Sequence, residues 1–360
     1  MSGKFIQVKL KINIIKVSII IVNYNGKVFL KDCITSLFNQ TFTDFEIIFV
    51  DNNSSDGSYE FMKENYNSEN ISLIRSEINL GFAGGNNLGF RHCKGELIVL
   101  LNNDTVTDKN WLKGLVECIE SDEKTGIVQS LVITRGIPMK YYEKNGTINL
   151  LGHNIMSVFE IDKNGRGEIF QANGCSLMIR KILADELGGL FPDEYFAYSE
   201  DTYLCLKAKF FGTKIMHTSS SIVDHFGGGA SGNKDPSFMF FYQERNRLMN
   251  FLLFFSGKFI VKYIPILIMN FFLKSAASVV SNKYSFSKLV KAYFWLMKNQ
   301  QLIRERRKSL DKIKRVNEDE VLKYISGKLF NGDNLIEKGF NYIMLLYCKV
   351  TGIHILENKR

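Results

Sequence analysis

The chain has 360 residues, 45% of them hydrophobic, which is enough to bury a large core in one domain or two unequal ones and excludes a disordered tail. The formal charge of +9 is unevenly placed: residues 1–245 hold 25 Lys+Arg against 29 Asp+Glu, and residues 246–360 hold 21 against 8. The six cysteines form no CxxC pair and no metal-ligand spacing, which speaks against disulfides and zinc and for a reducing cytosol.

In chain order, residues 1–16 read as a lysine-interrupted N-terminal extension in which no cleavable signal peptide is expected. From Val17 onward short apolar runs alternate with helical patterns, the mark of an α/β fold with a mostly parallel sheet. VSIIIV at 17–22 predicts the first strand, KVFLKDCITSLFNQ at 27–40 a helix, FEIIFV at 45–50 the second strand and ISLIR at 71–75 the third. The glycine- and asparagine-rich NLGFAGGNNLG precedes ELIVLL at 96–101, a strand that is apolar almost throughout. Three strand exits, Asn23 to Asn25, Asp51 to Asp56 and Asn102 to Asp104, carry small polar or acidic residues, and ligands gather at such ends in open α/β sheets. Between 126 and 245 the repeats are fewer, but SEDTYLCLKAKFFG predicts a helix with an acidic start and a glycine stop.

Residues 246–360 form the basic, apolar C-terminal region. LMNFLLFFSG lies between Arg247 and Lys258 and YIPILIMNFFL between Lys262 and Lys274, each shorter than the ~20 apolar residues that span a bilayer. Lysines at the ends of these runs can reach headgroups, and RERRKSLDKIKR at 304–315 adds cations. The region is therefore expected to bind a membrane surface, with a buried helical core as the alternative.

Two phosphate-binding devices are missing from the sequence: there is no GxxxxGK[ST] loop, and GFAGGNNLG does not fit GxGxxG at the first strand turn. Asp104, at the exit of an apolar strand and preceded by two carboxamides, can give a hard oxygen ligand to Mg²⁺ or Mn²⁺, or can simply cap a turn. Asp201 and Glu200 stand at a helix start, where the macrodipole favours the ionised form; they suit a general base or plain dipole complementation. His225 precedes the glycine run GGGASG at 227–232, from which an imidazole could reach a metal while the glycines let backbone approach a pyrophosphate.

Taken together, these residues resemble family 2 of the inverting glycosyltransferases, in particular its rhamnosyltransferase-like branch with the GT-A fold. The resemblance covers about Val17 to Asn250. It rests on VSIIIVNYNG, VDNNSSDGS, NLGFAGGNNLG, LLNNDT, ANGCSLMIRK, FPDEYFAYSEDTYLCLKAKFFG, VDHFGGGAS and ERNRL, which follow one another in the family's order. It implies a GT-A domain with helices on both faces of the sheet, divided into a nucleotide-sugar half at 17–125 and an acceptor half at 126–245.

Residue by residue, the resemblance implies that Tyr24 packs on the nucleobase, Asp51 bonds it and Asn103 sits near the ribose. Val22, Asn53, Asp56, Gly81 and Asn86 complete the donor site. Asp104 and His225 would hold the metal, Asp201 would be the catalytic base, and Asn173, Gly174 and Glu200 would border the acceptor or sugar pocket. The sequence departs from the family at Asn102, where the first acid of DxD is expected, and at Tyr203, where a further Asp is usual. The implied activity is transfer of a sugar from a UDP- or dTDP-sugar, with Mg²⁺ or Mn²⁺, to a glycan or lipid-linked acceptor at the cytoplasmic membrane face. A non-catalytic nucleotide-sugar-binding scaffold subunit is the rival reading. No nucleic-acid partner is expected, because the basic tail lacks a recognisable module with interleaved aromatics.

Overall fold

The computed structural model describes residues 15–66, 68–134, 145–156, 159–227, 236–281, 284–332 and 334–359. Most of the N-terminal extension, and the glycine run beyond Gly227, lie outside the described residues. The first half alternates strands β1 (Val17–Asn23), β2 (Phe45–Asp51), β3 (Ile71–Arg75) and β4 (Leu97–Asn102) with helices α1 (Lys27–Phe38), α2 (Ser58–Asn65) and α3 (Gly81–Phe90). Then come β5 (Thr105–Thr107), α4 (Trp111–Glu120), β6 (Thr125–Thr134), the hairpin strands β7 (Asn145–Ile148) and β8 (Asn154–Met156), β9 (Arg166–Ile169) and β10 (Ser176–Arg180). After α5 (Lys181–Glu186) come α6 (Glu200–Phe211) and β11 (Lys214–His225). Six further helices follow: α7 (Pro236–Phe254), α8 (Gly257–Val280), α9 (Phe286–Lys298), α10 (Gln300–Asp311), α11 (Glu318–Leu322) and α12 (Leu335–Thr351).

The main sheet runs β3-β2-β1-β4-β10-β6-β11-β5, with β9 pairing β11. Its first four strands are parallel, whereas β10 lies antiparallel to both β4 and β6. The sheet is therefore mixed, and the chain crosses from one side of β1 to the other between β3 and β4. Because strand side chains alternate faces, β1 serves two cores. Ile19 and Ile21 join Leu30 and Ile34 of α1 and Trp111 and Leu115 of α4, while Ile20 joins the cluster built by α3, α6 and the C-terminal helices.

The first apolar run of the C-terminal region belongs to that second core. Leu248, Met249, Phe251, Leu253, Phe254 and Phe255 are at most 1% exposed. Each such burial is worth roughly 1.5–3 kcal/mol, so this run is not available to a membrane, contrary to the sequence expectation. α7 also runs unbroken through residue 245, so the change in charge does not coincide with a break in the fold. The second run is longer than its lysines suggest. α8 has 24 residues and an apolar window of mean hydropathy 1.6, enough by length and composition alone to cross a bilayer. Lys274 does not interrupt it because this lysine sits on the buried face.

That face carries a charged cluster. Glu244 of α7 is fully buried and accepts from Arg247, from Lys274 and, at 2.6 Å, from Asn270 of α8. Burial opposes ionisation of Glu244, but the charges of Arg247 and Lys274 hold it below the ordinary carboxylate range. Removing one member leaves the others buried and uncompensated. Glu244→Ala is therefore expected to cost about 3–5 kcal/mol in urea unfolding. Lys323→Ala, which breaks an exposed pair with Glu320, should cost less than about 1 kcal/mol in the same assay.

Candidate active site

The parallel register sets Asn23 beside Asp51 and Val22 beside Asn102, so the polar strand exits open on one edge of the sheet. A cleft of about 310 Å³ opens there, between the exits of β1 and β4 on one side and the residues leading into α6 on the other. Its floor is a lattice of carboxamides. Asn103 donates to Asn23 at 2.6 Å, and Asn23 donates to Ser54 at 3.1 Å. Asn52 donates to Asn79 and to the Gly81 carbonyl and accepts from the Leu80 N–H. Gly81 is required at its position: its φ is +71°, and a Cβ there would lie 2.3 Å from the Phe196 carbonyl oxygen.

The opposite wall is a strained loop. Phe196, Tyr198 and Ser199 have φ of 60°, 72° and 63°, values that cost side-chain-bearing residues energy unless the surroundings hold them. The hold comes from α7. The Asn246 side-chain amide donates to the carbonyls of Tyr195, Ala197 and Tyr198 at 3.0, 3.0 and 2.7 Å, and that of Asn250 donates to Ser199 at 3.0 Å. Arg245 donates to the carbonyls of Glu194 and Tyr195, while Arg306 grips the Glu194 carboxylate with two bonds. Ser199 makes no side-chain cap on α6, despite its position.

This loop delivers Glu200 and Asp201 to the cleft. Asp201 accepts from the N–H of Gly174 at 3.3 Å and of Thr202 at 2.7 Å. Burial raises its pKa, and those donors only partly oppose the rise. Glu200 is pushed much further up, by burial first and then by the charge of Asp201, and its buried Oε2 has no hydrogen-bond partner. Burial thus disfavours the charged form of both carboxylates. Burial shifts both pKa values up, opposite to the direction expected of a helix start alone. Cys175 also lines the cleft, but burial drives its thiol far above the ordinary value and removes it as a nucleophile.

Asp104 and His225 meet by strand pairing: β5 and β11 run antiparallel with His225 opposite Thr105, and His225 Nε2 lies 3.3 Å from Asp104 Oδ1. One carboxylate oxygen and one imidazole nitrogen suit Mg²⁺ or Mn²⁺. Among the described residues no group of three or more His, Cys, Asp or Glu surrounds a possible ion.

Of the residues singled out in the sequence, Val22, Tyr24, Gly81, Asn103, Asn173, Gly174, Glu200 and Asp201 line the cleft. Asp51, Asn53, Asp56, Asn86, Asp104 and His225 do not. Asp51 is buried at the end of β2, accepting from Ser54 N–H while its Oδ1 has no hydrogen-bond partner. Asn53 has a φ of 66° in the turn that follows. Asp56 accepts from the N–H groups of Lys27 and Ser58 and so ties that turn to α1; burial would raise its pKa, but these bonds and the Ser58 hydroxyl leave it lowered. Asn86 donates within α3 to the Phe82 carbonyl. Tyr203, where an acid was expected, packs against Tyr195 and Phe254 with ring centroids 5.3 and 5.2 Å away. Sequence reasoning missed Asn52, Asn79, Phe82 and Phe196 in the cleft and gave no role to Asn246; the ERNRL motif was its only signal.

Residues 18–187 match the family described as Glycosyl transferase family 2. An uncharacterised glycosyltransferase of Nostoc sp. is 32% identical over 34% of this chain and 38% of its own length. The poly(ribitol-phosphate) beta-N-acetylglucosaminyltransferase TarS of Staphylococcus aureus is 24% identical over 58% of this chain and 38% of its own length. The chain thus spans under half of these curated relatives. Among solved structures, TarS 1–349 in complex with UDP aligns with a TM-score of 0.53 at 17% identity, covering 93% of this chain and 90% of that one. GalNAc-T7 with UDP, GalNAc and Mn²⁺ aligns at 0.60 and 16% identity, covering 80% and 58%. These likenesses establish a GT-A-like α/β fold.

The Asn246 contacts generate a direct test. Asn246→Ala deletes one side-chain donor to each of the carbonyls of Tyr195, Ala197 and Tyr198, a loss of about 1–3 kcal/mol. Hydrogen exchange should then accelerate at residues 195–199 while the amides of β1 and β4 stay protected. Equal protection of that loop in the wild type and the variant would refute the role of this side chain.

Proposed function

We propose that this chain is an inverting glycosyltransferase that moves a sugar from a UDP- or dTDP-sugar to a hydroxyl of a glycan or lipid-linked acceptor in cell-surface glycan synthesis. The observation that carries the reading is Asp201, a half-buried carboxylate fixed by two backbone N–H groups on the wall of a cleft at the carboxyl ends of β1 and β4. That edge is where open α/β sheets bind nucleotides. Tyr24 and Val22 are suited to flank the nucleobase, and Asn103 to meet the ribose. The relative named for N-acetylglucosaminyl transfer onto poly(ribitol-phosphate), with its UDP-bound structure, supports the donor class and the kind of acceptor. The order of motifs favours the rhamnosyltransferase-like branch, and the basic C-terminal helices favour work at the cytoplasmic face of the cell membrane.

In the reaction, Asp201 takes the proton of the acceptor hydroxyl as its oxygen attacks the anomeric carbon. The bond to the diphosphate oxygen breaks on the opposite side, which inverts the configuration. Asp104 and His225 would hold the divalent cation, Mg²⁺ or Mn²⁺, whose charge stabilises the departing diphosphate. Fixed donors and positioning supply the rest.

Asp201→Asn retains shape but not proton acceptance, so single-turnover transfer should fall by about 10²- to 10⁴-fold with donor affinity, read by calorimetry, nearly unchanged. Because burial raises the Asp201 pKa, the base is ionised only above that raised value. The acid limb of the kcat/KM profile is expected above the ordinary Asp value of about 3.9, with activity lost as pH falls through it. Transfer by Asp201→Asn at the wild-type rate would move the base elsewhere.

A second expectation concerns the cation. Chelation with EDTA should abolish transfer, Mn²⁺ or Mg²⁺ should restore it, and Asp104→Ala should not be rescued by either ion. Full activity in the chelator would rule out the role given to Asp104 and His225.

A further inference from the structure

We infer that α8, α9 and α12 form a docking face for an anionic lipid bilayer, on which α8 lies along the headgroup plane and does not cross. The inference rests on the proposal that the enzyme works at a membrane, and it specifies which surface meets the lipid and how.

α8 has two opposed faces. Phe259, Tyr263, Ile266, Asn270 and Lys274, spaced by three or four residues, are buried against the domain. On the other side Val261, Ile264, Ile268 and Phe272 are 45–69% exposed at the same spacing. The two neighbouring helices repeat the pattern. α9 exposes Phe286, Val290, Phe294 and Met297, and α12 exposes Ile336, Ile343, Leu346 and Val350, each set falling on one helical face. Hydrogen bonds hold the three together: Tyr293 of α9 donates to the Leu267 carbonyl of α8 at 3.0 Å, and Tyr347 of α12 donates to the Lys262 carbonyl at 2.7 Å. Exposed apolar stripes on three helices bonded to one another mark an interaction site.

The occupant is a lipid surface because of the charge around the stripes. α8 and α9 contain no acidic residue, and Lys258, Lys291 and Lys298 are exposed on them, with Lys349 on α12. Apolar side chains flanked by lysines suit the boundary between acyl chains and anionic headgroups. A crossing by α8 is opposed by its docked face. Asn270 and Lys274 both donate to Glu244, which is buried on α7 inside the domain. A span would strip these groups from their partner and place Lys274 in hydrocarbon.

The test uses the full-length chain and flotation with vesicles of phosphatidylcholine alone or with phosphatidylglycerol. The wild type should float with the anionic vesicles, less so as salt rises. The double variant Ile268→Glu/Phe294→Glu should lose at least tenfold in partitioning, whereas Ile182→Glu, an exposed apolar site on α5, should behave as wild type. A fluorophore at position 272 should be quenched by shallow, and not by bilayer-centre, lipid quenchers. Unchanged flotation of the double variant would overturn the inference, as would deep quenching. A wild-type dimer that the double variant converts to monomer, without any vesicle binding, would assign the face to a second copy of the chain and also overturn it. Vesicle binding is read without donor or acceptor, and transfer to a soluble acceptor without vesicles, so failure of the docking face and failure of the proposed activity are separately visible.

Discussion

The chemistry of the cleft depends on one side-chain amide. Asn246 sits on α7, far along the chain from the strands that build the cleft's sheet edge, and its amide donates to three carbonyls of the strained loop. Without that clamp, nothing in the local sequence of residues 195–199 would favour three left-handed residues within four positions. The loop sets the start of α6, the start of α6 sets Asp201, and Asp201 reaches back to the Gly174 N–H. A helix that composition assigns to a basic, greasy tail is therefore part of the machinery that aims the proposed base.

The other half of the site follows from strand register. Parallel pairing of β1 with β2 and β4 brings the polar exits together, and antiparallel pairing of β5 with β11 delivers His225 to Asp104. These positions are fixed by backbone ladders and not by surface side chains, which gives a proposed cation site rigid support. The carboxamide floor beneath them is fully internal: Asn23 and Asn103 are 0% and 2% exposed, so their bonds to each other act in a low dielectric and hold the turn geometry.

Strands β1 to β4 and helices α1 and α6 were legible because their apolar periodicity is strong and their ends are punctuated by Asn, Asp or Gly. Asp201, Glu200, Tyr24 and Gly81 were legible as motif members, and the structure brings them to one cleft. Three things were not. The direction of the Asp201 pKa shift was not legible because sequence places the residue at a helix start but does not report that the loop desolvates it. The run at 248–257 was misread because a core helix and an interfacial one share composition; only the partner surface distinguishes them. Asn52 and Asn79 were missed because their function is a mutual bond across 27 residues, which no local pattern encodes.

Among the described residues, the five non-glycine residues with positive φ, Asn25, Asn53, Phe196, Tyr198 and Ser199, belong to the strand-exit turns and the loop around the cleft. Each stores on the order of 1 kcal/mol or more. The fold thus concentrates its strain where a ligand would bind, and the site becomes the part of the domain that thermal adaptation can most readily alter. Glycine at position 198 or 199 would relieve local strain and tempt any selection for heat resistance. It would also release the geometry that aims Asp201. Under the proposed activity, stability and turnover compete at the same few backbone dihedrals.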